Sequence, residues 1–547
     1  MLNIKNGNCM IRRYSLLLFI VSISCTVYAL RVDNVVGMFR DDAWYALLGK
    51  AIASGNGYSL INAPNPGITP IYPPFFPFLL SLVFRAIPAF PENLFYLKLV
   101  SIMAMFGAGI LAYIYFKQGE CSHKLSIILA QLVVLSPGLV FIATSSLMSE
   151  CVFTLVCLGS IVMVEHVVTD TRVKSQYPLI ILAGVLLSAT FLTRSIAITL
   201  LISSFLYLVM KRKMALLPVF ALTTALIIGS WLIYSRIHRP TLQQRAEVNS
   251  YILVPYSEHF WDRTAGLTSE GKITIFELPA RIVSNIVSVI TLDLGGVVIP
   301  SFFPALNQGL AERYHQYQTV ISLLALLLVT LGYLDSIRSN LTLSEIFTPF
   351  YILVVLAWPF PPYRFLLPIL PIFLLYLIRG WRRVIILHSR LLLQGLGSKK
   401  INSENSLIGM AFVLLIFTVY SNTIYINRKF STIVNETPKW IRIFDETEQI
   451  LNWVKFNTSK DSRIATENPA LVHLYSGNKT VTYDNPTQNL ELWKNLSIRY
   501  YVSVLPGQSS ANNSNFKLVY NTSGPIKLKV LDFDLPESRK SSTPVVK

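Results

Sequence analysis

Apolar runs close to the ~20 residues that an α-helix needs to cross a bilayer dominate this sequence. Hydrophobic residues make up 53% of the chain and charged residues only 14%, whereas a soluble domain carries about 25% charged residues. The pattern predicts a polytopic α-helical membrane protein with about eleven transmembrane helices. The predicted spans are residues 14–30, 94–116, 125–143, 151–168, 178–192, 196–210, 214–234, 319–334, 347–358, 365–378 and 407–425.

Two apolar stretches allow more than one interpretation. The first run, 14–30, follows basic residues and lacks a small-x-small cleavage site, which favours an uncleaved signal anchor over a cleaved signal peptide. Residues 282–303 are apolar but contain Asp293, and a carboxylate is costly in hydrocarbon. This stretch is therefore predicted either to re-enter the membrane or to lie on its surface.

The basic residues indicate the orientation of the helices. With the N-terminus inside, nearly all Lys and Arg of the short loops fall on one side, as the positive-inside rule requires. This asymmetry explains much of the net charge of +18 and argues against nucleic-acid binding. We expect the protein in the cytoplasmic (inner or plasma) membrane with the C-terminal tail outside. The inner-side residues are Lys117, Lys124, Arg172, Lys174, Lys211, Arg212, Lys213, Arg338, Arg379, Arg382, Arg383, Arg390, Lys399 and Lys400.

The predicted organisation is a transmembrane domain over 1–426 followed by a polar tail. The first outer loop covers 31–93. Helical spacing and short alternating runs within 427–536 predict a small extracytoplasmic α/β domain, and residues 537–547 are predicted to be disordered. None of the five cysteines lies in the tail, and none has metal-ligand spacing. The tail is predicted to contain helices at 441–456 and 469–475 and strands at 463–466, 480–483, 499–504, 516–520 and 526–533.

An acidic pair, Asp41 and Asp42, lies shortly after the first apolar run, separated from it by residues 31–40. Carboxylates at a bilayer surface are costly unless they handle protons or cations. The competing interpretation is that one of them caps a short helix predicted at 46–53, since Asp is a good N-cap. The loop continues with Gly55-Asn-Gly-Tyr58 and with Tyr72-Pro-Pro74, whose prolines end one element and fix the start of the next.

This combination resembles the GT-C-fold glycosyltransferases that use polyprenyl-phosphate sugars. It is most similar to the bacterial glycosyltransferase 39 group, which includes protein mannosyltransferases and the aminoarabinose transferases of lipid A. That group has an acidic pair, often Asp-Glu, in the first outer loop, and here the second position is Asp42. Three further segments resemble the group in order and topology. They are Leu147-Met-Ser-Glu150, Pro362-Tyr-Arg-Phe-Leu-Leu-Pro-Ile-Leu-Pro371 and Asn468-Pro-Ala-Leu-Val-His-Leu-Tyr-Ser-Gly477.

The resemblance implies roles for the candidate residues. Asp41 and Asp42 are the predicted catalytic residues, with Asp41 as the general base. Asp42 or Glu150 would orient the acceptor or bind a cation. Arg364, and after it Arg194, would hold the phosphate, because a planar guanidinium can grip two oxygens. Tyr72 and Tyr363 complete the predicted substrate-binding set.

Each of these residues also has a structural interpretation. Acids such as Glu150 favour helix N-termini, arginines at helix ends snorkel to lipid head groups, and tyrosines populate the interfacial belt. Glu258, His259 and Asp262 lie close enough in sequence to suggest a metal site, but a fourth ligand is lacking. No cofactor is predicted with certainty, and a divalent metal stays open.

The predicted function is transfer of a sugar from a polyprenyl-phosphate donor to a hydroxyl or amine on the outer face, with inversion implied by the resemblance. The acceptor, which is a lipid, a protein or a polysaccharide, is not identified, nor is the sugar. A transporter or flippase of a lipid-linked or small anionic substrate is the main alternative. The acid pair in an outer loop and the lack of paired broken helices argue against it. A second alternative is a scaffold that displays its tail.

Overall fold

The computed structural model describes residues 21–533 except 66, 71, 171–172, 265–266, 303–314, 394–402, 434, 484–489 and 506–515. Several sequence predictions lie outside the described residues. These are the segment 14–20 of the first run, the disordered tail 537–547, and Arg172, Lys399 and Lys400, together with the side chains of Lys174 and Arg390.

Helices predominate in the described residues up to 302. Residues 21–31 form the described part of α1. Short 3₁₀ turns lie at Ser195–Ala197, Met214–Leu216 and Tyr251–Leu253, and a π turn lies at Val289–Asp293. The further helices are α2 Asp41–Ala53, α3 Phe75–Ala86, α4 Leu94–Gln118, α5 His123–Val134, α6 Pro137–Ser145, α7 Glu150–Thr169, α8 Val173–Thr193, α9 Ile198–Met210, α10 Leu217–Ile237, α11 Leu242–Val248, α12 Tyr256–His259, α13 Leu278–Ser288 and α14 Leu294–Val298.

The remaining helices complete the bundle and then enter the tail. Further 3₁₀ turns lie at Pro300–Phe302, His315–Tyr317 and Leu367–Ile369. The helices are α15 Gln318–Ser339, α16 Leu343–Ala357, α17 Tyr363–Leu366, α18 Leu370–Leu393, α19 Ser403–Lys429, α20 Lys439–Asn457, α21 Pro469–Ser476 and α22 Leu490–Asn495. The strands are β1 Asp262–Thr264, β2 Leu267–Lys272, β3 Arg463–Thr466, β4 Thr480–Thr482, β5 Ile498–Val502, β6 Phe516–Asn521 and β7 Lys529–Phe533.

The helices confirm an integral membrane protein. Eight of those in the described residues are long and apolar enough to cross a membrane, or nine when the α5–α6 pair, bent by 44°, is one span. Two predicted spans correspond to shorter apolar helices, Ser195–Met210 and Leu343–Ala357. The predicted count of about eleven is therefore not confirmed. The ambiguous stretch at 282–303 falls largely in Leu278–Val298, which is one of the eight.

Two glycines allow α15 and α18 to pack backbone against backbone. A Cβ added to Gly332 would lie 1.8 Å from the carbonyl oxygen of Tyr376, and one added to Gly380 would lie 1.9 Å from that of Leu328. Small residues at helix crossings are what permits close approach in membranes, where lipid supplies no hydrophobic force between helices. This crossing depends on glycine at both positions.

Replacing Gly332 by Ala is expected to destabilise the bundle by about 1–3 kcal/mol, since the helices must separate to admit the methyl group. Gly409→Ala in α19 is the matched control, because a Cβ there meets nothing within 4 Å. Thermal unfolding of the two variants in the same detergent compares them. A melting temperature of Gly332→Ala equal to that of the control would contradict the assigned crossing.

Residues 439–533, here called the α/β unit, contain a five-stranded sheet of order β4-β3-β5-β7-β6. Strand β3 is parallel to β4 and β5, and β7 is antiparallel to β5 and β6. One face of the sheet shares its core with the membrane bundle, and the other packs around the buried Trp493. The predicted strands and helices are present with bounds that differ by up to three residues. The domain boundaries at 427 and 536 stay a prediction.

Candidate active site

Four polar side chains meet where helices of the bundle begin or end. Asp41 and Glu150 are the first residues of α2 and α7, Arg194 directly follows α8, and Arg364 lies in the single turn α17. The helices are amphipathic or apolar along their length, so charged residues concentrate at their ends. Contacts between these residues place all four ends at one site.

The acidic pair lies within a helix and not in the loop before one. Helix α2 begins at Asp41, whereas the sequence predicted a helix from residue 46. Carboxylates in a first turn are stabilised by the helix dipole, which accounts for the earlier start. Successive helical residues point about 100° apart. The two carboxylates therefore face different surroundings.

Asp42 is directed away from the other polar groups of the site. Its side chain is fully buried and accepts hydrogen bonds from the backbone N–H of Gly37 at 2.8 Å and of Ala43 at 3.0 Å. Burial raises the pKa of the Asp42 carboxyl to about 6. Asp42 thus holds the turn before α2, and the catalytic role predicted for it does not enter our proposal.

Asp41 is held by three side chains. Its Oδ1 accepts hydrogen bonds from the phenol of Tyr72 at 2.7 Å and of Tyr251 at 2.5 Å. Its Oδ2 lies 3.6 Å from a guanidinium nitrogen of Arg364. Burial, followed by the charge of Asp41, raises the pKa of both phenols well above the ordinary value. The phenols remain donors, and they fix the orientation of this carboxylate.

Glu150 joins the two arginines. Its carboxylate, which is 0% exposed, lies 2.8 Å from Arg194 and 3.1 Å from Arg364. Both guanidinium carbons also lie over the ring of Phe365, at 5.3 and 5.4 Å. Arg194 further donates to the hydroxyl of Ser149 at 3.2 Å. The buried carboxylate of Glu150 and the ring of Phe365 thus hold the two guanidinium groups side by side.

The site opens into a cavity of about 360 Å³. The predicted residues Asp41, Tyr72, Arg194 and Arg364 line it. Glu150 is not among the lining residues but pairs with the two arginines that are. Besides these polar groups, apolar side chains line the cavity. These residues, here called the apolar lining, are Ile196, Ile198, Val354, Val355, Trp358, Phe360 and Phe365.

Tyr363 does not line this cavity, although the sequence placed it in the substrate-binding set. Its ring is buried, and its hydroxyl lies 3.5 Å from the carbonyl oxygen of Gly296. The helical turn α17 turns Arg364 toward the cavity and the preceding tyrosine into the bundle. We therefore assign Tyr363 to packing between α17 and α14.

The suggested metal ligands form a different arrangement. His259 Nδ1 lies 2.7 Å from Asp262 Oδ2, and its Nε2 lies 2.8 Å from the carbonyl oxygen of Tyr251. Glu258 instead pairs with Arg245 at 3.2 Å. Across the described part of the chain, no group of three or more His, Cys, Asp or Glu side chains could hold a metal ion. His259 and Asp262 thus form a hydrogen-bonded support for Tyr251, and we assign no metal site to them.

Sequence reasoning missed Tyr251 and Tyr256 of the segment 239–262 and considered His259 only as a metal ligand. Tyr251, Tyr256 and His259 all line the cavity, yet this segment has no clear periodicity. The available signal was the density of aromatic residues in an otherwise polar loop. Aromatic side chains there bury against the bundle and bring a phenol to Asp41.

A helical membrane bundle with its polar site at one end, next to an α/β unit, has the GT-C fold found in membrane glycosyltransferases. The chain is similar to ArnT, an aminoarabinose transferase from Cupriavidus metallidurans, bound to undecaprenyl phosphate. The identity is 10%, the TM-score is 0.55, and the match covers 95% of this chain and 98% of that one. For the apo state these values are 11%, 0.54, 96% and 98%.

A second similarity is to the Archaeoglobus fulgidus oligosaccharyltransferase tethered with an acceptor peptide that contains the NVT sequon. Here the identity is 11%, the TM-score is 0.50, and the match covers 89% of this chain and 69% of that one. No family model matches the chain, and no curated protein matches it significantly. At these identities the similarity establishes the fold, as the sequence motifs predicted.

Proposed function

We propose that this protein is a membrane glycosyltransferase that moves a sugar from a polyprenyl-phosphate donor to an acceptor hydroxyl or amine. The observation that carries the proposal is one cavity with an oriented carboxylate, Asp41, beside the paired guanidinium groups of Arg194 and Arg364. A base and a phosphate-binding cation pair are the two requirements of this reaction.

Asp41 is the proposed general base. Two phenols occupy its Oδ1, so Oδ2 is the atom that takes the proton from the acceptor. As that proton leaves, the acceptor oxygen or nitrogen forms a bond to the anomeric carbon of the donor. A single displacement of this kind inverts the anomeric configuration. General-base assistance contributes about 10²–10⁴ in rate.

The arginines are proposed to stabilise the leaving group. The bond from the anomeric carbon to the phosphate oxygen breaks, and its electron pair stays on the polyprenyl phosphate. Arg364 bridges Asp41 and Glu150, and Arg194 pairs with Glu150. A guanidinium already held in place stabilises the developing charge without reorganising. No step in this scheme needs a metal.

The apolar lining is the proposed path for the prenyl chain. Ile198, which belongs to this lining, is 41% exposed, and Leu353, beside Val354 on α16, is 60% exposed. Both lie on apolar helices, and exposed apolar side chains of a membrane bundle face lipid. The donor would therefore enter sideways from the bilayer, with its phosphate at the arginines and its tail along α9 and α16.

We place the site on the outer face of the cytoplasmic membrane, with the N-terminus inside and the α/β unit outside, on the distribution of basic residues. The proposed domains are a transmembrane domain over 1–426 and an extracytoplasmic α/β domain over 427–536. The similarity to ArnT bound to undecaprenyl phosphate supports a lipid-linked donor, and the similarity to the oligosaccharyltransferase with its acceptor peptide supports a protein as one acceptor class. The acceptor class is a lipid, a protein or a polysaccharide.

The test uses the full-length protein in nanodiscs with radiolabelled sugars on undecaprenyl phosphate and a cell-envelope extract as acceptor source. We expect release of undecaprenyl phosphate, a labelled product, and inversion at the anomeric carbon by NMR. Transport without cleavage is scored in sealed vesicles that carry the same donor. Movement of intact donor with no bond broken would replace the proposal by the transporter alternative.

A further inference from the structure

The turn that leads into Asp41 is bound by the α/β unit. Asn468, which is buried, donates through Nδ2 to the carbonyl oxygen of Gly37 at 2.8 Å, across 431 residues of sequence. The same side chain caps α21, because its Oδ1 accepts from the N–H of Leu471 at 3.2 Å. One asparagine therefore joins the start of a tail helix to the turn before α2.

The backbone of the turn before α2 has little conformational freedom at its contact with Asn468. Gly37 has φ of +85°, and a Cβ there would lie 2.6 Å from a methyl group of Leu471. Arg40, just before α2, has φ of 58°, which is an uncommon conformation for a residue other than glycine. Such backbone conformations persist only where the surroundings hold them. The α/β unit supplies those surroundings.

A short chain of hydrogen bonds leads from this contact to the base. The N–H of Gly37 donates to Asp42 Oδ2 at 2.8 Å, and Asp42 Oδ1 accepts from Ala43 in the first turn of α2. Asp41 is the neighbour of Asp42 in that same turn. A shift of Gly37 would therefore move the start of the helix, and with it the Asp41 carboxylate.

Two other contacts also hold the first outer loop against the α/β unit. The ring of Phe39, in the turn, stacks on that of Trp440 in α20 with centroids 5.8 Å apart. Further along the loop, Thr480 of the edge strand β4 donates its N–H to the carbonyl oxygen of Asn62 at 2.8 Å, and Asn62 Nδ2 returns a bond to Thr480 Oγ1 at 3.1 Å. The edge of the sheet is thus paired with the loop.

We propose that the α/β unit positions the general base and that Asn468 is the positioning residue through which it acts, an inference that rests on the proposed role of Asp41. Asn468 touches neither the cavity nor a reacting atom. It fixes the peptide group of Gly37, which fixes Asp42 and the first turn of α2. Misplacement of a reacting group by about 1 Å costs on the order of 10²-fold in rate, so this distant contact controls kcat.

The test compares Asn468→Ser with Asn478→Ser in the full-length protein. Serine is as good an N-cap as asparagine, so Asn468→Ser keeps the cap on α21 and loses only the bond to Gly37. Asn478 is equally buried, but its Nδ2 donates to Ser459 at 2.7 Å and Ser462 at 3.0 Å, both within the α/β unit. It controls for a general loss of stability.

For Asn468→Ser we expect kcat to fall about tenfold or more with the donor KM unchanged, and amide hydrogen exchange in residues 35–45 to become faster. For Asn478→Ser we expect wild-type kcat and wild-type exchange in that segment. An unchanged kcat in Asn468→Ser, or equal losses in both variants, would overturn the inference. If the wild-type protein transfers no sugar, the proposed function has failed, and the exchange data alone decide: unchanged protection at 35–45 refutes the positioning contact, and selective loss supports it.

Discussion

Asp41→Asn is expected to lower kcat for sugar transfer by about 10²–10⁴-fold while the protein stays folded in the membrane. The amide keeps an oxygen that can accept from Tyr72 and Tyr251, which now bind Asp41 Oδ1. It places NH₂ near Arg364, however, and cannot take a proton from the acceptor. Donor KM is expected to change little. Steady-state kinetics in nanodiscs, with release of undecaprenyl phosphate as the readout, measure both constants.

Two variants make this result specific. Glu258→Gln makes the same change from carboxylate to amide outside the cavity and is expected to leave kcat within about twofold, as for an exposed ion pair. Asp42→Asn removes a carboxylate that accepts from the backbone N–H groups of Gly37 and Ala43, and its loss of kcat should be smaller than that of Asp41→Asn. If Asp41→Asn turned over donor at the wild-type rate, the base would have to be another residue.

Arg364→Ala is expected to lower kcat/KM for the donor by about 10²–10³-fold, the scale of one lost stabilising group in an active site. Arg364 contacts both carboxylates of the site, so its removal leaves Arg194 alone beside the phosphate. Binding of undecaprenyl phosphate itself should weaken in parallel, since this product carries the charge that the arginines stabilise. Titration calorimetry measures that binding without requiring turnover.

Two further variants, Arg364→Lys and Arg383→Ala, separate the effect of charge from the effect of side-chain geometry and position. Arg364→Lys keeps the charge but loses the planar fork, so an intermediate loss is expected. Arg383→Ala removes an arginine of α18 that pairs with Asp335 and does not line the cavity, and donor use should be unaffected. If Arg364→Ala depended on donor concentration as the wild type does, we would assign phosphate binding to Arg194 instead.

Much of the site could be predicted because its residues lie next to the ends of apolar runs. Asp41, Glu150, Arg194 and Arg364 each adjoin a predicted span on the same predicted side, so topology alone placed them at one surface. The structure links the four in a chain of three ion pairs, Asp41 with Arg364, Arg364 with Glu150 and Glu150 with Arg194. Helix count was less predictable, since α9 and α16 are shorter than a full span.

Individual side-chain directions were not predictable in the same way. Asp41 and Asp42 are chemically identical and adjacent, and the rotational phase of α2 decides which one faces the cavity. The same holds for Tyr363 and Arg364 in α17. Tyr251 comes from a loop without periodicity. Its position depends on His259, whose Nε2–H donates to the carbonyl oxygen of Tyr251 at 2.8 Å and whose Nδ1 lies 2.7 Å from Asp262 Oδ2.

The sequence by itself determined that this chain is a helical membrane protein with acids and arginines gathered at one side. The physical reason is local: the cost of placing polar groups in hydrocarbon acts on each window of ~20 residues independently. Only the tertiary structure decided which carboxylate is presented to the cavity. That choice depends on contacts between residues far apart in the chain, such as Asn468 with Gly37, whose free energy no local window contains.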